Sequence, residues 1–374
     1  MAKLKILFDH QAFQLQAYGG VSRYFYELLR NLYKDEKLEC SVSLLHSLNC
    51  YTKHELFSDH NFLLSKMNFK GKYRITALLN KIKSIHALRI GNYDIFHPTY
   101  YDPYFLNHIG RKPFVLTIHD MIHELFPQEF PIGDRIALWK RNLAEKAASI
   151  IAVSNNTKMD VRRIYHIDEE RIHVIYHGSS LIDKTYSRAS DNQNKKRFVL
   201  FVGRRTGYKN FIQFVKAVAP ILWSEDDLNV VCAGGGFFGP DEIHCFETLQ
   251  VKQRISQCDV DDDTLAHLYK NASAFVFPSL YEGFGIPILE SFRCGCPVIC
   301  SNAGSLPEVA GDAAAYFDPN DLRSIEDAIK TVIRDEELRQ KLRTKGFHRV
   351  KSFSWKRASE MTRTVYDRIC HTAD

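Results

Sequence analysis

The chain of 374 residues has no long hydrophobic run; nowhere does it approach the roughly 18 consecutive apolar residues of a membrane-spanning helix. Its opening residues, Met1 to His10, carry an apolar run too short for a signal peptide or an anchor. Paired cysteine spacing is missing as well: the nine cysteines are odd in number and scattered, which suits a reduced, cytoplasmic setting rather than a disulfide framework. Cys294, Cys296 and Cys300 crowd together, but they flank a Pro-Val-Ile strand and lack a second ligand pair, so no zinc site is expected. Acidic residues are absent from His60 to Tyr93, where Lys66, Lys70, Lys72, Arg74, Lys81, Lys83 and Arg89 fall. Within that stretch Ile75, Leu78, Leu79, Ile82 and Ile85 recur at helical spacing. Two readings stay open: a helix attracted to an anionic membrane surface, or one whose apolar face packs on its own domain. No nucleic-acid module accompanies the patch, so no nucleic-acid partner is expected.

What is present is ordinary for a globular protein of two or three domains, with 45% hydrophobic and 25% charged residues and a formal charge of +6. Short apolar runs alternate with helical patterns. Strands are expected near Lys5–Asp9, Cys40–Leu45, Ile95–His97, Phe114–Ile118, Ile150–Val153 and Ile172–Tyr176, with helices from Val21 and over Arg135–Ala148. That alternation implies an α/β fold with doubly wound parallel sheets and ligands at the carboxyl ends of the strands. Residues 183–196 are polar and read as a linker, which separates a first domain (1–182) from a second (197–354).

The most informative stretch is Ser279 to Glu290, Ser-Leu-Tyr-Glu-Gly-Phe-Gly-Ile-Pro-Ile-Leu-Glu. The apolar run Ala274–Phe277 precedes it, and a helix can open at Ile288 behind Pro287. Free amides at such a strand-to-helix turn make an anion site, and Gly283 and Gly285 permit close approach. The carboxylates of Glu282 and Glu290 would repel a phosphate, so they suit hydroxyls. Diphosphate and hydroxyl-bearing rings together describe a nucleotide-sugar. A second cradle, Ala17-Tyr-Gly-Gly-Val, precedes the first helix, and His119 and Asp120 end a strand at the functional rim. In Gly203 to Asn210, either Arg204 or Arg205, together with Lys209, suits a diphosphate. Gly234-Gly-Gly-Phe-Phe-Gly239 satisfies Gly-x-Gly-x-x-Gly, yet Pro240 follows and no ribose-binding acid stands at the required distance, so it reads as a tight loop near the nucleotide. His119 and His123 lack the carboxylate of a His-Glu-x-x-His motif. The aspartates around Asp261 cap a helix, so no metal is expected there either.

Glu282-x7-Glu290 around Glu-Gly-Phe-Gly-Ile-Pro, followed by Cys294-Gly-Cys-Pro-Val-Ile and Gly304-Ser-Leu-Pro-Glu, resembles the signature of retaining family 4 (group 1) glycosyltransferases. The resemblance implies the GT-B fold, two Rossmann-like domains facing across a cleft, with the last helix (355–374) returning to the first domain. It places Glu282 on sugar hydroxyls, Glu290 on the ribose and His119 near the sugar, so His119 and Glu282 are the catalytic candidates. Gly20, Arg205, Lys209, Val260 and the amides of Phe284, Gly285 and Ile286 are assigned to the donor. Gly19 is assigned to the acceptor, and Asp102, after another strand, is a further acceptor candidate.

The implied activity is metal-independent, retaining transfer of a sugar from a nucleoside diphosphate to a glycan or polyprenyl-linked hydroxyl in cell-surface polysaccharide or lipopolysaccharide synthesis. The donor substrate is a GDP- or UDP-sugar with no further cofactor. A likeness to mannosyltransferases around Gly304-Ser-Leu-Pro-Glu and Gly311-Asp-Ala-Ala-Ala favours GDP-mannose. The rival readings are a hydrolysing nucleotide-sugar epimerase, which needs acid/base carboxylates that these motifs do not supply, and a non-catalytic scaffold of the same fold. The expected place of work is the cytoplasm, peripherally at the inner membrane face.

Overall fold

Parallel strands separated by helices bury both faces of each sheet, so their sequences read as near-continuous apolar runs instead of alternating ones. Ala274–Phe277 and Val298–Ser301 are buried at every position. The structure, a computed structural model, describes residues 3–14, 19–47, 49–53, 72–179 and 197–371. The expected linker at 183–196 and the basic residues Lys66 and Lys70 lie outside them. Two compact units emerge: Met1–Glu124 with Pro131–His177 and Ser354–Asp374, and Leu125–Phe130 with Gly178–Phe353.

The first unit runs β1 (Leu4–Phe8), α1 (Gly20–Leu32), β2 (Leu38–Val42), α2 (Lys72–Ile90), β3 (Ile95–His97), β4 (Val115–Ile118), α3 (Ile122–Leu125), α4 (Ile136–Lys146), β5 (Ser149–Ala152), α5 (Asn155–Tyr165) and β6 (Ile172–Val174). Two parallel ladders, β2-β1-β3 and β4-β5-β6, are joined by a parallel bridge between Phe96 and Phe114. Strand order therefore reverses between β1 and β3, a switch point where the loops after the strands splay apart. Helix α1 sits on this sheet through Tyr24, Phe25, Leu28, Leu29 and Leu32, all buried. Burial of each large apolar side chain contributes about 1.5–3 kcal/mol.

Helix α2 departs from ordinary amphipathicity. Its buried positions are Thr76, Asn80, Ser84 and Leu88, whereas Tyr73, Ile75, Leu78 and Ile82 are exposed. The buried amide of Asn80 explains the inversion. Its Oδ1 accepts from the Leu45 and His46 N–H groups at 2.8 and 3.0 Å, and its Nδ2 donates to the His46 carbonyl at 2.7 Å. Hydrogen bonds thus set the face of this helix, and its apolar stripe points to solvent.

The second unit runs β7 (Arg197–Val202), α6 (Phe211–Ser224), β8 (Leu228–Ala233), α7 (Pro240–Thr248), β9 (Ile255–Cys258), α8 (Asp262–Asn271), β10 (Ala274–Phe277), α9 (Ile286–Arg293), β11 (Val298–Ser301), α10 (Leu306–Ala310), β12 (Ala314–Phe317), α11 (Leu322–Arg334) and α12 (Glu336–Arg349). All ladders are parallel, in the order β12-β11-β10-β7-β8-β9. Counted within the unit, that is the Rossmann order, with its switch point between β7 and β10. Helix α9 begins at Ile286, earlier than the sequence suggests, because Pro287 fits the first turn, where its missing N–H costs nothing. Finally α13 (Trp355–His371) returns to the first unit, burying Trp355, Ala358, Val365, Tyr366 and Ile369 in its core.

Candidate functional site

The second unit gathers its motif residues at the β7/β10 switch point. The turn after β7 carries Lys209, whose Nζ lies 2.6 Å from Glu282 Oε1 on the loop after β10. Ser279 Oγ donates to the same carboxylate oxygen at 2.6 Å, and Lys209 Nζ also stands 5.5 Å from the centre of the Phe277 ring. Glu282 is 8% exposed, so its charge is nearly desolvated and held by these two partners. Behind it, Ser305 Oγ donates to the carbonyls of Glu282 and Phe284 at 2.9 and 2.8 Å. Here is the physical content of Gly304-Ser-Leu-Pro-Glu: it backs the Glu282–Gly285 loop. Gly285 caps α9 at φ +105°, and a Cβ there would lie 2.9 Å from Leu306 Cδ2, so neither conformation nor space admits a side chain. Glu290, about one turn along α9, is buried and accepts from Tyr269 Oη at 3.4 Å. Val260 is half-buried between β9 and α8, beside the N-cap Asp261.

Arg205 corrects an expectation. Its Nε donates to Glu242 at 2.6 Å, while its terminal nitrogens donate to the carbonyls of Gly234, Gly236 and Phe237 at 2.9, 2.8 and 3.1 Å. Gly234, Gly235 and Gly236 all take positive φ, which turns their carbonyls toward this guanidinium. Only 4% of the side chain is exposed, and it lies over the rings of Phe211 and Phe238. Arg205 therefore holds the glycine loop, and its neighbour Arg204 is the exposed cation of the turn.

In the first unit the switch-point loops are built on Asp9, which is fully buried and accepts from Thr99 N–H (2.8 Å), Thr99 Oγ1 (2.6 Å), Gln11 Nε2 (2.8 Å) and Tyr104 Oη (3.0 Å). Asp102 caps the turn that follows, accepting from Tyr104 N–H at 3.0 Å, and pairs with Lys81 of α2 at 3.1 Å. Gly19 is the N-cap of α1 in ordinary extended backbone, and a Cβ on Gly20 would meet nothing within 4 Å. The fold itself does not require a glycine at either place.

At the end of β4, His119 leaves Nε2 buried without a hydrogen-bond partner among the described residues. Tyr24 meets its ring edge-on at 5.0 Å, and Tyr101 Oη accepts its backbone N–H at 3.1 Å. Burial lowers its pKa to about 4, with Asp120 opposing and Lys140 reinforcing the shift. The imidazole is thus neutral at pH 7. His97 bonds Tyr366 Oη at 2.6 Å and Thr117 Oγ1 at 2.9 Å, and burial lowers it to about 3. His177, stacked on Trp355 at 5.5 Å, is also held well below the usual histidine range by burial.

Residues 18–181 match the family model described as Glycosyltransferase Family 4, and residues 183–349 match that of Glycosyl transferases group 1. The chain belongs to the group 1 glycosyltransferases. An O-antigen chain mannosyltransferase B of Escherichia coli is 28% identical over 372 residues, covering 93% of this chain and 95% of the relative. The O-antigen chain mannosyltransferase RfbU of Salmonella typhimurium is 27% identical, covering 58% of this chain and 60% of its own. Among solved structures, Anabaena HepE in complex with UDP and glucose has a TM-score of 0.74 at 18% identity, covering 98% of this chain and 100% of that one. The fold of this glycosyltransferase is accordingly GT-B, with two Rossmann-like domains.

Within the glycosyltransferase, Lys209, Glu282, Phe284, Gly285, Ile286 and Glu290 come together around one switch point, while Gly19, Gly20, Asp102 and His119 stand on the carboxyl rim of the first unit. Sequence reasoning missed Ser279, Ser305, Tyr269, Tyr101 and Lys140. The two serines stood inside quoted motifs and carried a signal. Nothing marked the others, since a tyrosine or lysine at helical spacing resembles any surface residue.

Proposed function

We propose that the chain transfers a sugar, mannose first, from a nucleoside diphosphate to a glycan or lipid-linked hydroxyl, retaining the anomeric configuration and needing no metal or further cofactor. The observation that carries this reading is the Lys209–Glu282–Ser279 arrangement at a Rossmann switch point. One cation and one hydroxyl-binding carboxylate stand 2.6 Å apart, as a ligand with phosphate next to sugar requires. Lys209, the exposed Arg204 and the amides at the start of α9 would stabilise the departing diphosphate. Glu282 would take sugar hydroxyls, Glu290 the ribose and the backbone at Val260 the base. Gly20 would let the donor approach α1. Gly19 and Asp102 would line the acceptor.

In the step itself, the acceptor oxygen forms its bond to the anomeric carbon on the face the diphosphate leaves, and a phosphate oxygen takes the acceptor's proton. No enzymatic nucleophile is needed. Neutral His119 would offer its unpartnered Nε2 to a substrate hydroxyl. The mannosyltransferase relatives support GDP-mannose, whereas UDP in the HepE structure keeps UDP-sugars in the test. Exposed Ile75, Leu78 and Ile82, with Arg74 and Arg89 on the same helix, support docking on an anionic membrane surface. Among the described residues, no helix is long and apolar enough to cross a membrane.

The test is thermal stabilisation by GDP, UDP and their sugars with EDTA present, followed by NMR of the product's anomeric configuration. Stabilisation by one nucleotide series, absent in Lys209→Ala and Glu290→Ala, is expected. Stabilisation that needs a divalent ion, or an inverted product, overturns the corresponding part. Flotation with phosphatidylglycerol vesicles, lost in Leu78→Ser/Ile82→Ser, tests the membrane surface.

A further inference from the structure

Lys140 of α4 has no exposed side-chain surface. Its Nζ donates to the carbonyl of Asp120 at 2.9 Å and to Glu124 Oε2 at 3.0 Å, lies 3.8 Å from Asp120 Oδ1, and rests 5.2 Å from the centre of the Tyr101 ring. Tyr165 Oη from α5 donates to the other oxygen of Glu124, and Asp120 Oδ1 accepts from Ile122 N–H at 3.0 Å. Among the described residues, the polar partners of this ammonium lie on the turn after β4 and on α3, and the ring beside it is that of the tyrosine that accepts the His119 N–H. Desolvating a lysine and a glutamate costs several kcal/mol, and an apolar pair of similar volume would serve stability at least as well. What the ion pair supplies is position: it fixes a carbonyl, two carboxylates and a ring, all within five residues of His119 or bonded to it.

We propose that Lys140 is a positioning residue for the His119–Asp120 turn, holding the imidazole at the rim of the first unit. This rests on the role proposed above for His119. The groups packed around His119 are Tyr24 and Phe25 from α1, Tyr101 from the loop after β3, His97, His177, and the charged trio Asp120, Glu124 and Lys140. Lys140 is the cation of that trio. Its loss leaves Asp120 unopposed, so His119 gains a proton more readily.

The experiment compares wild type, Lys140→Met, Lys140→Arg and the charge-balanced double variant Glu124→Gln/Lys140→Met. It reads kcat, donor KM and the imidazole NMR titration of His119. Lys140→Met should lower kcat about 10- to 100-fold with donor KM changed less than about threefold, as expected for a misplaced group. Its His119 midpoint should rise above the wild-type value. The double variant keeps the net charge of the trio and should fold, yet still lose kcat. Lys140→Arg should recover part of it. Wild-type kcat in the double variant and an unmoved His119 titration in Lys140→Met, with only the melting temperature changed, would overturn the proposal and make the pair a stability element. If wild type transfers no sugar from any donor, the functional reading fails, and the His119 titration still decides what Lys140 does.

Discussion

The two Rossmann-like units bring opposite chemistry to the same topological place. At the β7/β10 switch point the second unit keeps a close ion pair, Lys209–Glu282, partly open to solvent at 16% and 11% side-chain exposure. The rim of the first unit adds neutral rings to its own ion pairs, Lys81–Asp102 and Lys140–Glu124: His97, His119 and His177 lie among Tyr24, Phe25 and Trp355, and burial strips each histidine of its proton at pH 7. A polyanion needs a cation held ready, and the second rim supplies one. Hydroxyl groups need uncharged donors and acceptors in dry surroundings, and the first rim supplies those. Under the proposed function, one strand arrangement would serve two ligand chemistries, because the switch point fixes where a ligand lies and leaves the loops to decide what it is.

That contrast can be broken most severely at Lys209. Lys209→Ala removes the cation and strands Glu282, so transfer should fall by about 10²- to 10³-fold and nucleotide stabilisation should vanish. Steady-state rates and thermal shifts read both. Gly285→Ala should cost the second unit about 2–3 kcal/mol in urea unfolding, through strain at φ +105° and the clash with Leu306. Tyr366→Phe leaves His97 Nδ1 without its partner, with an expected loss of about 1–3 kcal/mol confined to the first unit. Acid should separate the units by a related route. His119 and His97 have folded pKa values of about 4 and 3, below the free value of 6.5, so the unfolded chain binds more protons in that interval. Their contribution to stability is complete above pH 6.5 and is lost as pH falls toward 4 and then 3. Hydrogen exchange against pH should show the first unit loosening first. The smallest effect is expected at Gly20→Ala, where a methyl meets open space: stability should change by less than about 0.5 kcal/mol, while any loss of activity would report a substrate close to that backbone.

The strand–helix alternation and nearly every strand were legible because buried parallel strands are short apolar runs that little else imitates. Gly285 and the Glu282 loop were legible for the same kind of reason, since their backbone demands leave a chemical mark. Two things were hidden. Arg204 and Arg205 are chemically identical in sequence, and only the inward-turned carbonyls of Gly234, Gly236 and Phe237 decide which one is occupied. In α2 the period of Ile75, Leu78 and Ile82 left open a membrane-facing stripe or a buried one, and Asn80 and Ser84 took the buried face by satisfying the loop after β2. Hydrogen-bond partners distant in sequence leave no periodic signal, and that is why Lys140 too was invisible.

The return of α13 has a consequence for how the protein is made. The core of the first unit includes Trp355, Val365, Tyr366 and Ile369, which follow the whole of the second unit in sequence. A chain made from its N-terminus therefore passes through a stage at which the second unit can already be folded while the first still exposes the hydrophobic surface meant for α13. The first-made half of the molecule is thus the last to be finished.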